Sequence, residues 1–181
     1  MHEHERPAPL RLRALGPHDE SAAWAAHDEM AREGFEFLPR AERDGDWAAY
    51  LRRLEDERTG ADLPAGRVPA TFLVADVAGV VVGRVSVRHT LNDHLSVVGG
   101  HIGYVVLPAY RRRGYATAML RESLVVARSA GVHRVLVTCD DENVASIRTI
   151  ERCGGVLEDV VHVPGAPGVK RRYRVATDGS S

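Results

Sequence analysis

The run YRRRGYAT, residues 110–117, sets three consecutive arginines against a glycine. Guanidinium groups supply charge and forked donors, and a glycine lets the backbone come close to a ligand, so the chemistry on offer is capture of an anion. A group that exchanges protons near neutral pH is best supplied by an imidazole. His101 lies on the apolar run leading into the arginines and His89 on the run before it. Cys139 and Cys153 belong to no CxxC or other metal-ligand spacing, so no metal is expected. A nucleophilic thiol needs an activating neighbour, and both cysteines are expected instead to be buried as small apolar groups.

These side chains depend on the elements that carry them. Residues 9–15 alternate apolar and basic positions as a half-buried strand does, and 19–33 and 43–57 have helical spacing. After a Gly- and Pro-rich connector, ATFLVADV (70–77) and VVVGRVSVRHT (80–90) flank Ala78-Gly79 and read as a hairpin. HIGYVVLP (101–108) is a third strand, and Ala116, Met119, Leu120, Leu124 and Ala127 then share one helical face until Gly131 stops it. A short strand at 133–139 follows, then a helix N-capped by Asn143 that ends at Gly154-Gly155, then two strands around a turn.

The order β α α β β β α β α β β predicts one α/β domain over residues 9–176, a mixed sheet flanked by helices with one right-handed strand-helix-strand crossover. Residues 1–8 and 177–181 are expected to be a flexible start and a loose tail.

Composition narrows the class. A formal net charge of -1 with 27% charged residues does not suit a protein that coats nucleic acid, so the arginines are to be read locally. VKRRYRV (169–175) alternates as a charged edge strand would, a pattern that discourages aggregation. The first ten residues lack the apolar core of a signal peptide, VAGVVVG is too short to span a bilayer, and two cysteines suit a reducing cytoplasm.

The arginine-rich loop sits between a strand ending near Leu107 and a helix starting near Tyr115, where unpaired backbone N–H groups and the helix dipole together attract anions. Neither GxxxxGK[ST] nor GxGxxG is present, which argues against a P-loop nucleotide or a dinucleotide held in the Rossmann manner. Here the sequence resembles the GNAT superfamily of acyl-CoA-dependent N-acyltransferases. Arg111, Gly114 and Ala116 match its [QR]xxGx[GA] loop, and the flanking strand and helix and DENVASIRTIERCGG downstream match as well. The match is strongest over residues 100–159, and GGHIGY, LVTCDDEN and IERCGG look like a bacterial branch of the superfamily.

The resemblance implies a GNAT-like fold, a central, mostly antiparallel mixed sheet in which two parallel strands splay apart at the thioester. It implies that the pyrophosphate of coenzyme A rests on the amides of Arg112, Arg113, Gly114, Tyr115, Ala116 and Thr117. It places the pantetheine arm along Tyr104, Val105 and Val106, with Asn143 and Ser146 beside it, although Asn143 is also a plain helix cap. Relatives often carry their base near the start of the strand before the loop, which favours His101 over His89. Many carry a tyrosine acid in the helix after the Asn, and here Ile150 stands near that position. The departing thiolate would then take a proton from water, Ser146, Tyr104 or Tyr173, or need none, since a thiol with a pKa of about 8.5 leaves readily. The Val106 N–H is the family-consistent donor to an oxyanion.

The implied reaction is acetyl transfer from acetyl-CoA, as co-substrate, to a primary amine of a small molecule or peptide by direct attack in a ternary complex. The expected setting is cytoplasmic, with no nucleic-acid or membrane partner and with a homodimer left open. Glu33, Glu36 and Asp93 beside Trp24, Phe35, Phe37 and Trp47 offer charge and ring faces for a cationic amine, although the helical spacing of these aromatics favours packing of the helices on the sheet. Two alternatives remain at this stage: a non-catalytic acyl-CoA sensor or interaction domain, and an enzyme using a longer or acidic acyl-CoA.

Overall fold

The computed structural model describes residues 9–163 and 168–178. Along the chain run β1 (Leu10–Arg13), α1 (Glu20–Ala31), α2 (Trp47–Thr59), β2 (Ala70–Val77), β3 (Val80–Arg88), α3 (Asp93–Val97), β4 (Ile102–Val106), α4 (Tyr115–Ser129), β5 (Arg134–Asp140), α5 (Val144–Arg152), β6 (Val156–His162) and β7 (Val169–Ala176). The expected order holds, with α3 added. Its start is set by Asn92, whose Oδ1 accepts the Leu95 N–H at 2.9 Å, an N-cap that the sequence NDHL carried unread.

The strands form two sheets, β1-β2-β3-β4 and β5-β7-β6, with antiparallel neighbours throughout. The β2–β3 hairpin turns at Ala78 (φ 51°) and Gly79 (φ 86°), the paired positive angles of a type I′ turn, and the Asp76 Oδ1 accepts the Gly79 N–H across it at 2.9 Å. Alternation along β2 sends Phe72 and Val74 to a core under α1 and α2 that holds Met30, Phe37, Leu38 and Trp47. Leu73 and Ala75 face the other core, where Met119, Leu120 and Ile150 from α4 and α5 meet Val85, Val87, Ile102, Val137 and Tyr173. Close packing of α4 requires Gly83: a Cβ there would stand 2.4 Å from Val105 O and 3.0 Å from Met119 Cε.

The two sheets touch where β4 and β5 begin. The His101 N–H donates to Leu136 O at 2.7 Å, and beyond that point Ile102, Gly103 and Tyr104 line the same cavity as Thr138, Cys139 and Asp140. Both strands therefore leave the contact in the same direction and diverge, the splay expected of the fold.

Two expectations need correction. β7 is the central strand of its sheet, not an edge: Lys170, Arg171, Arg172 and Arg174 are paired with Asp140, Asp141, Asp159 and Glu158 on β5, on β6 and just after β5, so cross-strand neutralisation makes a basic strand fit the interior of a sheet. Thr177, placed in the loose tail, is buried, with its N–H bonded to His133 O (3.1 Å) and its Oγ1 to Val132 O (3.1 Å). The expected flexible start (1–8) and the end of the tail (179–181) lie outside the described residues. Among the described residues no helix is long and apolar enough to cross a membrane.

Candidate functional site

The connection from β4 to α4 leaves a run of amides bare. Pro108–Tyr110 forms one 3-10 turn, Arg112 adopts a left-handed conformation (φ 65°), and Gly114 (φ 82°) caps α4 in another, which a side chain would strain. Among the described residues the backbone N–H groups of Arg112, Arg113, Gly114, Tyr115, Ala116 and Thr117 meet no acceptor, and the Ala118 N–H is the first to bond, to Gly114 O at 3.1 Å. Bare N–H groups at the positive end of a helix dipole make an anion site.

These residues, Arg113 excepted, line a groove of about 670 Å³ together with Arg111, Tyr104, Val105 and Val106 on one side and Asn143 and Ser146 on the other. The groove thus gathers the residues expected to hold the cofactor. Arg113 turns away, its Nη2 donating to Ala109 O (3.0 Å) with the guanidinium over the Tyr110 ring. Arg111 spends its charge on the fold: two nitrogens grip the Glu33 carboxylate (3.0 and 2.5 Å) and Nε donates to Val106 O (3.1 Å). Arg148 and Arg152, one turn apart on α5, line the same groove and were missed. Their i, i+4 spacing was the available signal.

The free edge of β4 follows from its register. Arg88 N bonds His101 O (2.7 Å) and Leu107 N bonds Val82 O (2.9 Å), so with Gly83 opposite Val106 the alternation of an antiparallel ladder turns the N–H groups of Tyr104 and Val106 away from β3, toward the splay. The Tyr104 hydroxyl is buried and, among the described residues, meets no hydrogen-bond partner in good geometry. Burial pushes its pKa up, against the pull of the nearby Ser146 and Thr149 hydroxyls, so the phenol stays protonated. Tyr104, Asn143 and Ser146 also line a second, smaller cavity of about 270 Å³ on the far side, with Arg88, Thr138, Cys139 and Asp140. These three residues are the wall the cavities share.

Comparison with known proteins identifies the family. The profile of the acetyltransferase (GNAT) domain matches residues 9–156. The chain belongs to the GNAT family. It is 31% identical over 156 residues, 83% of its length, to the mycothiol acetyltransferase of Thermobispora bispora, and spans about half (48%) of that curated relative. Among solved structures, the GNAT fold here resembles Mycobacterium smegmatis RimJ in complex with CoA-disulfide (TM-score 0.67, 19% identity, 94% of this chain and 86% of that one). It also resembles YncA of Salmonella typhimurium with acetyl-CoA (TM-score 0.62, 19% identity, 93% and 94%).

Within this GNAT domain neither expected histidine reaches the cavities. His101 lines neither, and its Nδ1 accepts the Leu136 N–H at 2.9 Å; burial, then the charges of Arg174 and Arg88, hold its pKa down at about 4. His89 also lines neither, its Nε2 lies 2.8 Å from Thr71 Oγ1, and burial lowers its pKa. Cys139 borders the smaller cavity, but burial raises its thiol to about 11, and Cys153 is raised by burial too, as small apolar roles require.

Several groups expected to hold a cationic amine are engaged within the protein. Glu33 is held by Arg111, the Glu36 Oε1 accepts the Arg40 N–H (2.9 Å), and the ring faces of Phe35 and Trp24 are covered by Arg84 (4.8 Å) and Arg43 (4.5 Å). The protein's own guanidinium groups thus take the places a cation would take at Glu33, Phe35 and Trp24.

Proposed function

We propose that the protein is an N-acetyltransferase using acetyl-CoA as co-substrate and a primary amine as acceptor, working by direct attack in a ternary complex. The observation that carries this reading is the row of bare amides from Arg112 to Thr117 on a groove that Tyr104 also lines, its hydroxyl buried and without a hydrogen-bond partner among the described residues. GNAT membership supports reading that anion as the pyrophosphate of coenzyme A, and the acetyl-CoA in the related YncA structure supports it too.

In this reading the amides hold the pyrophosphate, Arg148 and Arg152 add charge beside it, and the free N–H group of Tyr104 pairs with the pantetheine arm. The deprotonated fraction of the amine attacks the thioester carbonyl carbon from the smaller cavity. The oxyanion accepts the Val106 N–H, a contact of the kind worth about 3 to 4 kcal/mol. Collapse breaks the C–S bond, and the thiolate takes the Tyr104 proton, which the phenolate regains through solvent from the ammonium formed on attack. His101 positions the splay and takes no proton.

The test is thiol release from acetyl-CoA over an amine panel, with the N-acetyl product identified by mass. Release that requires a particular amine is the expected result. Binding of acetyl-CoA without release for any amine would replace this reading with the sensor.

A further inference from the structure

The smaller cavity holds a cation without a counterion. Asp140, the carboxylate on its lining, is paired with Lys170, whereas Arg88 has no carboxylate within ion-pair reach among the described residues. Arg88 is half-buried, and its Nη1 donates to Gly100 O (2.9 Å) and Gly99 O (3.3 Å), while its Nε and Nη2 make no bond to a described residue. Two donors of a fixed guanidinium fork thus remain beside a cavity that shares Tyr104, Asn143 and Ser146 with the groove. A desolvated guanidinium is strongly favoured by an anionic partner, and the planar fork suits a carboxylate. Neighbouring charge adds to the demand: Arg88 also feels Arg67, and Arg84 feels Arg88.

Size sets the scale of the ligand. At about 270 Å³ the cavity lies just under the range of roughly 300 to 1,000 Å³ for small-molecule sites, room for a compact metabolite. Its lining asks for two different things: the wall at Tyr104 shared with the groove is where the attacking nitrogen must arrive, and Arg88 is where negative charge is wanted.

We propose that the smaller cavity is the acceptor site and that it selects a small amine that also carries a carboxylate, as an amino acid does, with Arg88 as the specificity-determining residue. This rests on the acetyltransferase reading above. The carboxylate docks on Nε and Nη2 of Arg88, which leaves the amine directed at the splay.

The test compares free L-amino acids with their carboxamides, matched in side chain, as acceptors in the thiol-release assay. The parent protein is expected to show kcat/KM at least about tenfold higher for the carboxylate members, the scale of one charge-assisted contact. Arg88→Gln should lower that ratio toward one. If Arg88→Gln does not fold, Arg88→Lys, which keeps the charge but not the fork, is read the same way and should lower the ratio in part. Release that is equal for acids and amides, or better for amides, would overturn the inference and leave the acetyltransferase reading standing. No release with any amine would overturn both.

Discussion

The imidazole Nδ1 of His101 accepts the Leu136 N–H at 2.9 Å while the His101 N–H donates to Leu136 O at 2.7 Å. One residue therefore satisfies both backbone groups of its partner and joins the two sheets at the apex of the splay. Gly100 makes the approach feasible, since a Cβ there would lie 2.3 Å from Leu136 O. The histidine that looks like a base is, in this geometry, a fastener.

That role has a pH signature. The folded value of about 4 lies below the ordinary 6.5, so above pH 6.5 both folded and unfolded chains carry a neutral ring and the full contribution is present. As pH falls from 6.5 toward 4 the unfolded chain takes up a proton that the folded chain refuses, and about 3 kcal/mol of stability is lost. Urea unfolding at pH 7 and pH 4.5 should show a smaller fall for His101→Gln than for the parent. Turnover by this variant should keep the parent's pH profile; loss of an acidic limb would restore His101 as base.

Tyr104→Phe removes a buried hydroxyl that, among the described residues, meets no hydrogen-bond partner in good geometry. Deleting an unsatisfied polar group is neutral or stabilising, so the melting temperature should hold or rise. Turnover should drop by about tenfold to a hundredfold, at the low end for a general acid because a thiol leaves readily, with acetyl-CoA affinity retained. Unchanged turnover would remove Tyr104 as proton donor.

Ala78 occupies a left-handed position of the type I′ turn that Asn-Gly fills best. Ala78→Asn should stabilise by about 0.5 to 1 kcal/mol, a rise in melting temperature of roughly 1 to 4 °C for a chain of this size, without altering acyl transfer. A lower melting temperature would contradict the turn assignment.

The loop proposed to hold the cofactor was legible because its geometry is local: Pro108, Gly114 and the periodic apolar face starting at Ala116 fix a strand-loop-helix junction that leaves its backbone amides bare. The hairpin at Ala78-Gly79 and the Asn143 cap were readable for the same reason. The fate of His101 was not, since it turns on a side-chain-to-backbone bond between positions 35 residues apart. Nor was the central place of β7: alternation reveals which face a residue takes, not which strands lie beside it, and the acids that neutralise Arg172 and Arg174 sit on β6. Likewise, nothing local to Glu33 announced that Arg111, 78 residues away, would hold it.

The most direct test is calorimetric titration with acetyl-CoA of the parent and of Gly114→Val. A Cβ at Gly114 meets nothing within 4 Å, so its effect falls on the left-handed backbone (φ 82°) that aims the amides and not on core packing. The expected result is saturable binding by the parent and at least about a tenfold loss of affinity in a variant that circular dichroism shows to be folded. No binding by the parent, or equal affinity in the folded variant, would contradict the assignment of Arg112 to Thr117 as the acyl-CoA site.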